Sequence, residues 1–195
     1  MNTSSPYIGA SVKRLEDRPL LTGAGRYVDD IKLPNMAVMA IYRSPYAHAR
    51  INSIDLTAAK AVPGVIDAFC ADDIQMDMPV IPLRLAPFDG FERFLQRPIA
   101  RDKVRYVGEP IAVVIASDRY IAEDALDLIE VDFAALPAVT SVDQAALGET
   151  LVHEDAGENM GTRYTVGRGD TDDAFKHAAY TRRERFTTNR HGAVP

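Results

Sequence analysis

Residues 103–133 read KVRYVGEPIAVVIASDRYIAEDALDLIEVDF, and three kinds of pattern follow one another inside them. Ile111-Ala112-Val113-Val114-Ile115-Ala116 is an unbroken apolar run of strand length, which predicts a strand buried on both faces. Lys103-Val104-Arg105-Tyr106-Val107 reads as a strand before it, and Gly108-Glu109-Pro110 as the turn between them. Ser117 is placed to cap a helix in which Ile121, Ala122, Ala125, Leu126 and Ile129 recur at three- and four-residue steps. Glu123, Asp124, Asp127 and Glu130 point the other way, so the helix packs one face on a sheet. Residues 130–133 then alternate as a half-exposed strand that Ala134-Ala135-Leu136-Pro137 ends.

The same grammar appears upstream. Residues 37–42 are an apolar run of strand length, Ser44-Pro45 breaks it, and residues 47–54 read as a second strand. Asp55 stands at an N-cap position before a short helix over 56–61, Pro63-Gly64 stops that helix, and residues 65–71 form a further strand. Strand, helix, strand thus occurs twice, which makes the chain α+β, with mixed strands and two packed helices. Ahead of this lie a polar, proline-bearing arm, a turn at Gly23-Ala24-Gly25 and a short strand or extended edge over 27–31. Between the repeats, residues 72–102 dissolve into prolines, methionines and aromatics, among them Met76, Met78, Pro87, Phe88, Phe91, Phe94 and Pro98. Irregular segments beyond about 15 residues are usually functional or docked, and this one is too apolar to stand in water. Residues 148–161 turn polar like a linker. After them, 170–179 form a helix candidate and 180–187 alternate like a strand, too little to close a second core.

The chain has 195 residues, 47% hydrophobic and 26% charged, and a formal charge of −6 from 28 acids and 22 bases. On the usual prior of roughly 100 to 200 residues per domain, that supports one good core and a remainder. No basic field exists for a phosphate backbone, which argues against nucleic acid. The single cysteine, Cys70, excludes an intrachain disulfide framework, a cysteine zinc site and an iron–sulfur cluster, each of which needs several thiolates. No stretch approaches the ~18 apolar residues of a membrane span, and the start lacks a signal-peptide core. A cytoplasmic location is expected.

Candidate sites are few. The Gly23-Ala24-Gly25 turn precedes a strand, the reverse of a dinucleotide loop. Arg168-Gly169-Asp170 reads as helix capping. His48, His153, His177 and His191 have no i, i+4 pairing for zinc. His153-Glu154-Asp155 is the nearest to a ligand cluster, and its linker setting suggests solvated charge. Asp29-Asp30 and Asp72-Asp73 are neighbours whose side chains would diverge on a strand. Cys70 in an apolar run reads as an inert buried thiol. Arg182, Arg183, Arg185 and Arg190 form the one cationic concentration, facing solvent or carboxylates of a neighbouring domain. No catalytic, cofactor-binding or metal-binding residue is assigned.

The segments SVKRLEDRPLLTGAGRYVDDI (11–31), RSPYAHARI (43–51), PGVIDAF (63–69), KVRYVGEPIAVVIA (103–116), YIAEDALDLIEVDF (120–133) and GDTDDAFKHA (169–178) resemble, in this order and spacing, the start of the molybdenum-binding large subunit of the xanthine dehydrogenase and aldehyde oxidase family. Bacterial carbon monoxide dehydrogenase large chains and related hydroxylases look most similar. The resemblance implies an N-terminal arm over 1–20, an α/β-hammerhead domain over 21–145, a linker over 146–165 and a truncated start of a molybdopterin-binding domain over 166–195. It implies an oxidoreductase that hydroxylates a carbon centre with a molybdopterin cofactor, assembled with iron–sulfur and FAD subunits. The family's pterin contacts and its glutamate base match no position here, so this segment is expected to be inactive alone and to serve shape and docking. Two other readings stay open: a free-standing hammerhead module that holds a partner without redox chemistry, and a small hydrolase using His153 or His191.

Overall fold

The computed structural model describes residues 8–74, 78–83 and 90–188. Met76, Pro87, Phe88, Arg190 and His191 lie outside the described residues. Two three-stranded antiparallel sheets form the body. In the first, β1 (Val38–Arg43) and β3 (Val65–Cys70) flank β5 (Pro110–Ala116). In the second, β4 (Lys103–Val104) and β6 (Glu130–Ala135) flank β2 (Ala49–Asp55). The α+β class expected from the double strand–helix–strand pattern is the architecture observed.

β5 is central because it can be nothing else. Ile111, Ala112, Val113, Val114 and Ala116 are all buried, and the strand pairs on both edges, Val114 opposite Ala40 on one side and Ala68 on the other. One face meets α3 (Arg119–Leu126) through Ala122 and Ala125, with Ile129, Leu56 and Ala59 completing that core. The small alanines let the helix approach the sheet closely. The other face carries Val113, with Ala71, Met78 and Ile99 against it. The excursion over 72–102 therefore lays Met78 and Ile99 on this chain's own sheet. A third cluster, Ala49, Ala100, Val104 and Ile111, joins the two sheets.

The two strand–helix–strand units are tied at Gly64. It follows the single turn α2 (Thr57–Lys60), takes φ +95°, and its carbonyl accepts from the Ser117 amide at 2.9 Å. A Cβ here would stand 2.7 Å from Ile121 Cδ1, so glycine is demanded by space as well as by backbone angle.

Several local expectations are corrected. Ser117 does not cap α3; its hydroxyl donates to Gly64 O, and Asp118 accepts from the Tyr120 amide instead. Asp55 does accept from a first-turn amide, that of Thr57 at 2.8 Å, but the N-cap position is Leu56. Residues 27–31 hold a 3-10 turn, Val28–Asp30, because the Asp30 carboxylate reaches back to the Tyr27 amide and closes a local ring that a strand would leave open. The strand expected over 103–107 is cut to two residues, since Glu109 draws the Arg105 amide into a turn. Residues 180–187 form no strand: alternation is a pattern of side chains, and pairing needs a neighbour. The helix expected over 170–179 is the shorter α5 (Thr171–Lys176). Two α-helical elements are not announced by the sequence pattern, the turn α1 (Asp17–Leu21) and α4 (Val142–Leu147), the latter capped by Ser141 and ended by left-handed Gly148. No described helix is long and apolar enough to cross a membrane.

Ile111 has no exposed surface, so I111A is expected to cost about 2–5 kcal/mol in urea unfolding. G64A, which adds a clash to an unfavourable φ, is expected to cost about 1–3 kcal/mol.

Candidate functional site

The described residues bury four polar side chains, Ser44, His48, Lys103 and Glu109, and all fall in two segments that the fold brings together. Ser44 and Glu109 are joined by the Ser44 amide to Glu109 O at 2.9 Å, and Gly108 donates back to Ser44 O at 2.8 Å. The Ser44 hydroxyl closes its own turn on Tyr46. Arg43 Nη1 donates to Gly108 O at 2.9 Å and seals the outside.

Glu109 is 3% exposed, and its carboxylate accepts from the Arg105 amide. Burial pushes its pKa up, and the Arg105 amide and guanidinium and the Tyr106 amide offset part of that rise. Lys103 is 8% exposed and hydrogen-bonds both carboxylate oxygens of Glu154. That bond pulls the Glu154 pKa down from 4.5 to about 2. His153, beside it, sits edge-on to Phe94 at 5.3 Å. Its pKa is lowered by burial first and by the Arg105 cation second. The carboxylates of the His153-Glu154-Asp155 run are exposed, as solvated charge would be, but Glu154 also bonds a buried ammonium and the half-buried His153 packs against an aromatic ring.

Arginines supply much of the remaining order. Arg105 Nε donates to Val152 O at 3.2 Å, Arg93 Nη1 to Ala156 O at 2.8 Å, Arg97 Nη1 to Met78 O at 2.7 Å and Arg101 Nη2 to Ala71 O at 2.9 Å. Irregular backbone leaves carbonyls that no ladder serves, and the guanidinium fork serves them. Between these groups is a cavity of about 300 Å³ lined by Lys103, Arg105, Glu109 and His153, among others. Among the described residues no hydroxyl or thiol lines it, so His153 and Glu109 have no side-chain nucleophile beside them there.

His48 Nδ1 lies 2.7 Å from Pro137 O, and since a carbonyl only accepts, that nitrogen carries the hydrogen. Its Nε2 is buried without a hydrogen-bond partner among the described residues. Nothing in composition or spacing marked Lys103, Glu109 or His48 as buried. The one available signal was charge placed beside the apolar runs 103–104 and 111–116.

The other candidates are dispersed. Asp72 pairs with Arg101 at 3.0 Å, while Asp73 accepts from the Cys70 amide at 2.8 Å. Cys70 is buried, and desolvation raises its thiol pKa. Asp29 pairs with Arg119 at 3.0 Å. Gly23 takes φ +70° after α1, a turn. Asp170 caps α5 by accepting from the Asp173 amide at 2.9 Å, and His177 meets Asp173 on that helix. Arg182 pairs with Glu184, and Arg185 with Asp143 of α4 at 3.1 Å.

Among the described residues no group of three or more His, Cys, Asp or Glu could hold a metal ion. The cavity's buried charges, Lys103 and Glu109, are committed to Glu154 and to the Arg105 amide, so neither is free to hold a molybdenum pterin.

Residues 22–137, more than half the chain, match the family model described as "Aldehyde oxidase and xanthine dehydrogenase, a/b hammerhead domain". The gamma subunit of the 6-hydroxypseudooxynicotine dehydrogenase complex of Paenarthrobacter nicotinovorans is 38% identical over 97% of this chain and 24% of its own length. The carbon monoxide dehydrogenase large chain of Afipia carboxidovorans is 35% identical over 94% of this chain and 24% of its own. Among solved structures, quinoline 2-oxidoreductase from Pseudomonas putida 86 superposes with a TM-score of 0.73 at 40% identity, covering 88% of this chain and 22% of that one. The chain spans about a quarter of the length of the curated relatives it matches.

Because the folded-state pKa of Glu154 is depressed, its pairing contributes stability that is full above pH 4.5 and is lost as pH falls through about 2. Glu154 is 48% exposed, so solvent keeps the contribution well below that of a fully buried pair. E154Q is expected to flatten this acid limb in urea midpoints measured from pH 2 to 5.

Proposed function

The chain belongs to the aldehyde oxidase and xanthine dehydrogenase a/b hammerhead family, and from that premise we propose that it serves as the hammerhead portion of a molybdenum hydroxylase large subunit, with a scaffolding and docking role. The observation that carries this reading is the commitment of both buried charges among the described residues to internal partners: Lys103 to Glu154, Glu109 to the Arg105 amide. Groups so engaged hold a fold in place and are poor acids, bases or ligands.

In this reading residues 21–145 are the hammerhead domain and residues from 166 onward begin a molybdopterin-binding domain. The exposed apolar side chains at both ends support it. Ile8, Val12, Leu15 and Leu21 in the arm, and Val166, Phe175, Tyr180 and Phe186 in the last segment, stand largely in solvent. Apolar surface on that scale marks contact with further protein. Pterin-binding domains would cover the last segment, and iron–sulfur and FAD subunits would complete the complex; the relatives' names, a complex subunit and a large chain, support assembly with further chains. The cofactor, bound by those other domains, would supply the hydroxylation of a carbon centre. This chain's residues would supply the surface on which those domains sit.

Co-expression of the chain with the pterin-binding domains and the iron–sulfur and FAD subunits of a bacterial relative tests the proposal. Molybdenum and pterin are expected in the joint species and not in the chain purified alone. Stoichiometric molybdenum in the chain alone would refute it. A stable joint species without molybdenum would favour the free-standing binding module.

A further inference from the structure

Residues 148–161 have no ladder to either sheet. Their backbone hydrogen bonds are local, Ala156 N to His153 O at 3.1 Å and Gly157 N to Glu154 O at 3.0 Å. Asn159 braces the segment from within, accepting from the Val152 amide at 2.9 Å and donating to Thr150 O at 2.7 Å. The 3-10 turn Phe91–Phe94 packs on it: Arg93 bonds Ala156 O and pairs with Glu158 at 3.6 Å, Phe94 meets the His153 ring, and Phe91 closes on Gly161 so tightly that a Cβ there would stand 3.0 Å away. These contacts make one small unit from two pieces of irregular chain. Its polar anchors to the rest of the chain are Lys103 on Glu154, Arg105 on Val152 O and Asn159 Nδ2 on Ala145 O of α4 at 3.3 Å. At either side of the anchor, Gly148 and Gly157 take φ +70° and +73° with open space around them.

We propose that the Phe91–Phe94 turn and residues 148–161 form a strap that opens away from β4 while both sheets stay folded, with the Lys103–Glu154 pair as its latch. Cooperative local opening is the expected behaviour of a unit that is well connected inside and sparsely connected outside. An opening that hydrates both partners also avoids stranding one charge in the interior. The opened state exposes Lys103, Glu109 and the 300 Å³ cavity. The strap runs on at Gly161 into residues 162–188, which are exposed almost throughout. Protein that docks on those residues and favours one exit direction shifts the latch by its differential contact with the two states.

Native-state hydrogen exchange on the full chain tests this. The reporters are the amides of Ala156 and Gly157 in the strap and those of Val113 and Val114 in β5. E154Q and K103M are each expected to accelerate the strap amides about tenfold or more, the scale of a lost charged hydrogen bond, and to leave the β5 amides unchanged. N159A, which loosens the internal brace, is expected to accelerate Ala156 in the same selective way. Equal acceleration of strap and β5 amides in E154Q would show that the pair belongs to the global fold, and unchanged strap amides would show that it latches nothing; either result overturns the proposal. Should K103M fail to fold, E154Q decides alone, since its side chain is half exposed and its removal leaves no large cavity.

Discussion

The constraint on which everything else rests is the double burial of β5. A strand with apolar side chains on both faces must find a cover for each, and the chain supplies two unlike ones. A regular amphipathic helix with alanines at its contact face covers one side. Irregular chain pinned by Met78 and Ile99 covers the other. The regular cover needs only periodicity. The irregular one lacks ladders and must have its backbone groups satisfied by side chains, which is why Arg97 and Arg101 are turned onto carbonyls beside it.

That difference explains what could be read in advance. The apolar run 111–116, the helical period through Ile129 and the alternation over 130–133 announce themselves, and the strand, helix and strand stand where those patterns put them within about three residues. Caps were less legible. Ser117 and Asp118 are both chemically able to cap α3, and only the position of Gly64, some fifty residues earlier, takes Ser117 away for another bond. Residues 180–187 mislead for a related reason, since their alternation is real and the partner that would turn it into a strand is not among the described residues.

The polar cluster was the least legible part. Lys103 and Glu109 look like ordinary surface charges in a row of residues, and their burial is decided by where residues 44–48 and 153–156 arrive in space. His153 and Glu154 were visible as a cluster, but their partners were not. Their linker setting suggested solvated charge, and the fold adds to that a buried ammonium for Glu154 and an aromatic wall for His153. Membership in the hammerhead family, by contrast, was legible from motifs spread along the chain, because short runs such as RSPYAHARI encode turns and strand starts together.

The arginine-to-carbonyl bonds bear on how this domain can change over time. A guanidinium that holds a main-chain oxygen reads the path of the backbone and is blind to the side chain attached to it. Met78, Ala71, Val152 and Ala156 are gripped in this way at their carbonyls. The surface of those segments is therefore free to drift and be refitted to new neighbours while their course stays fixed, a division of labour that suits a part whose outer face must match whatever protein it is built into.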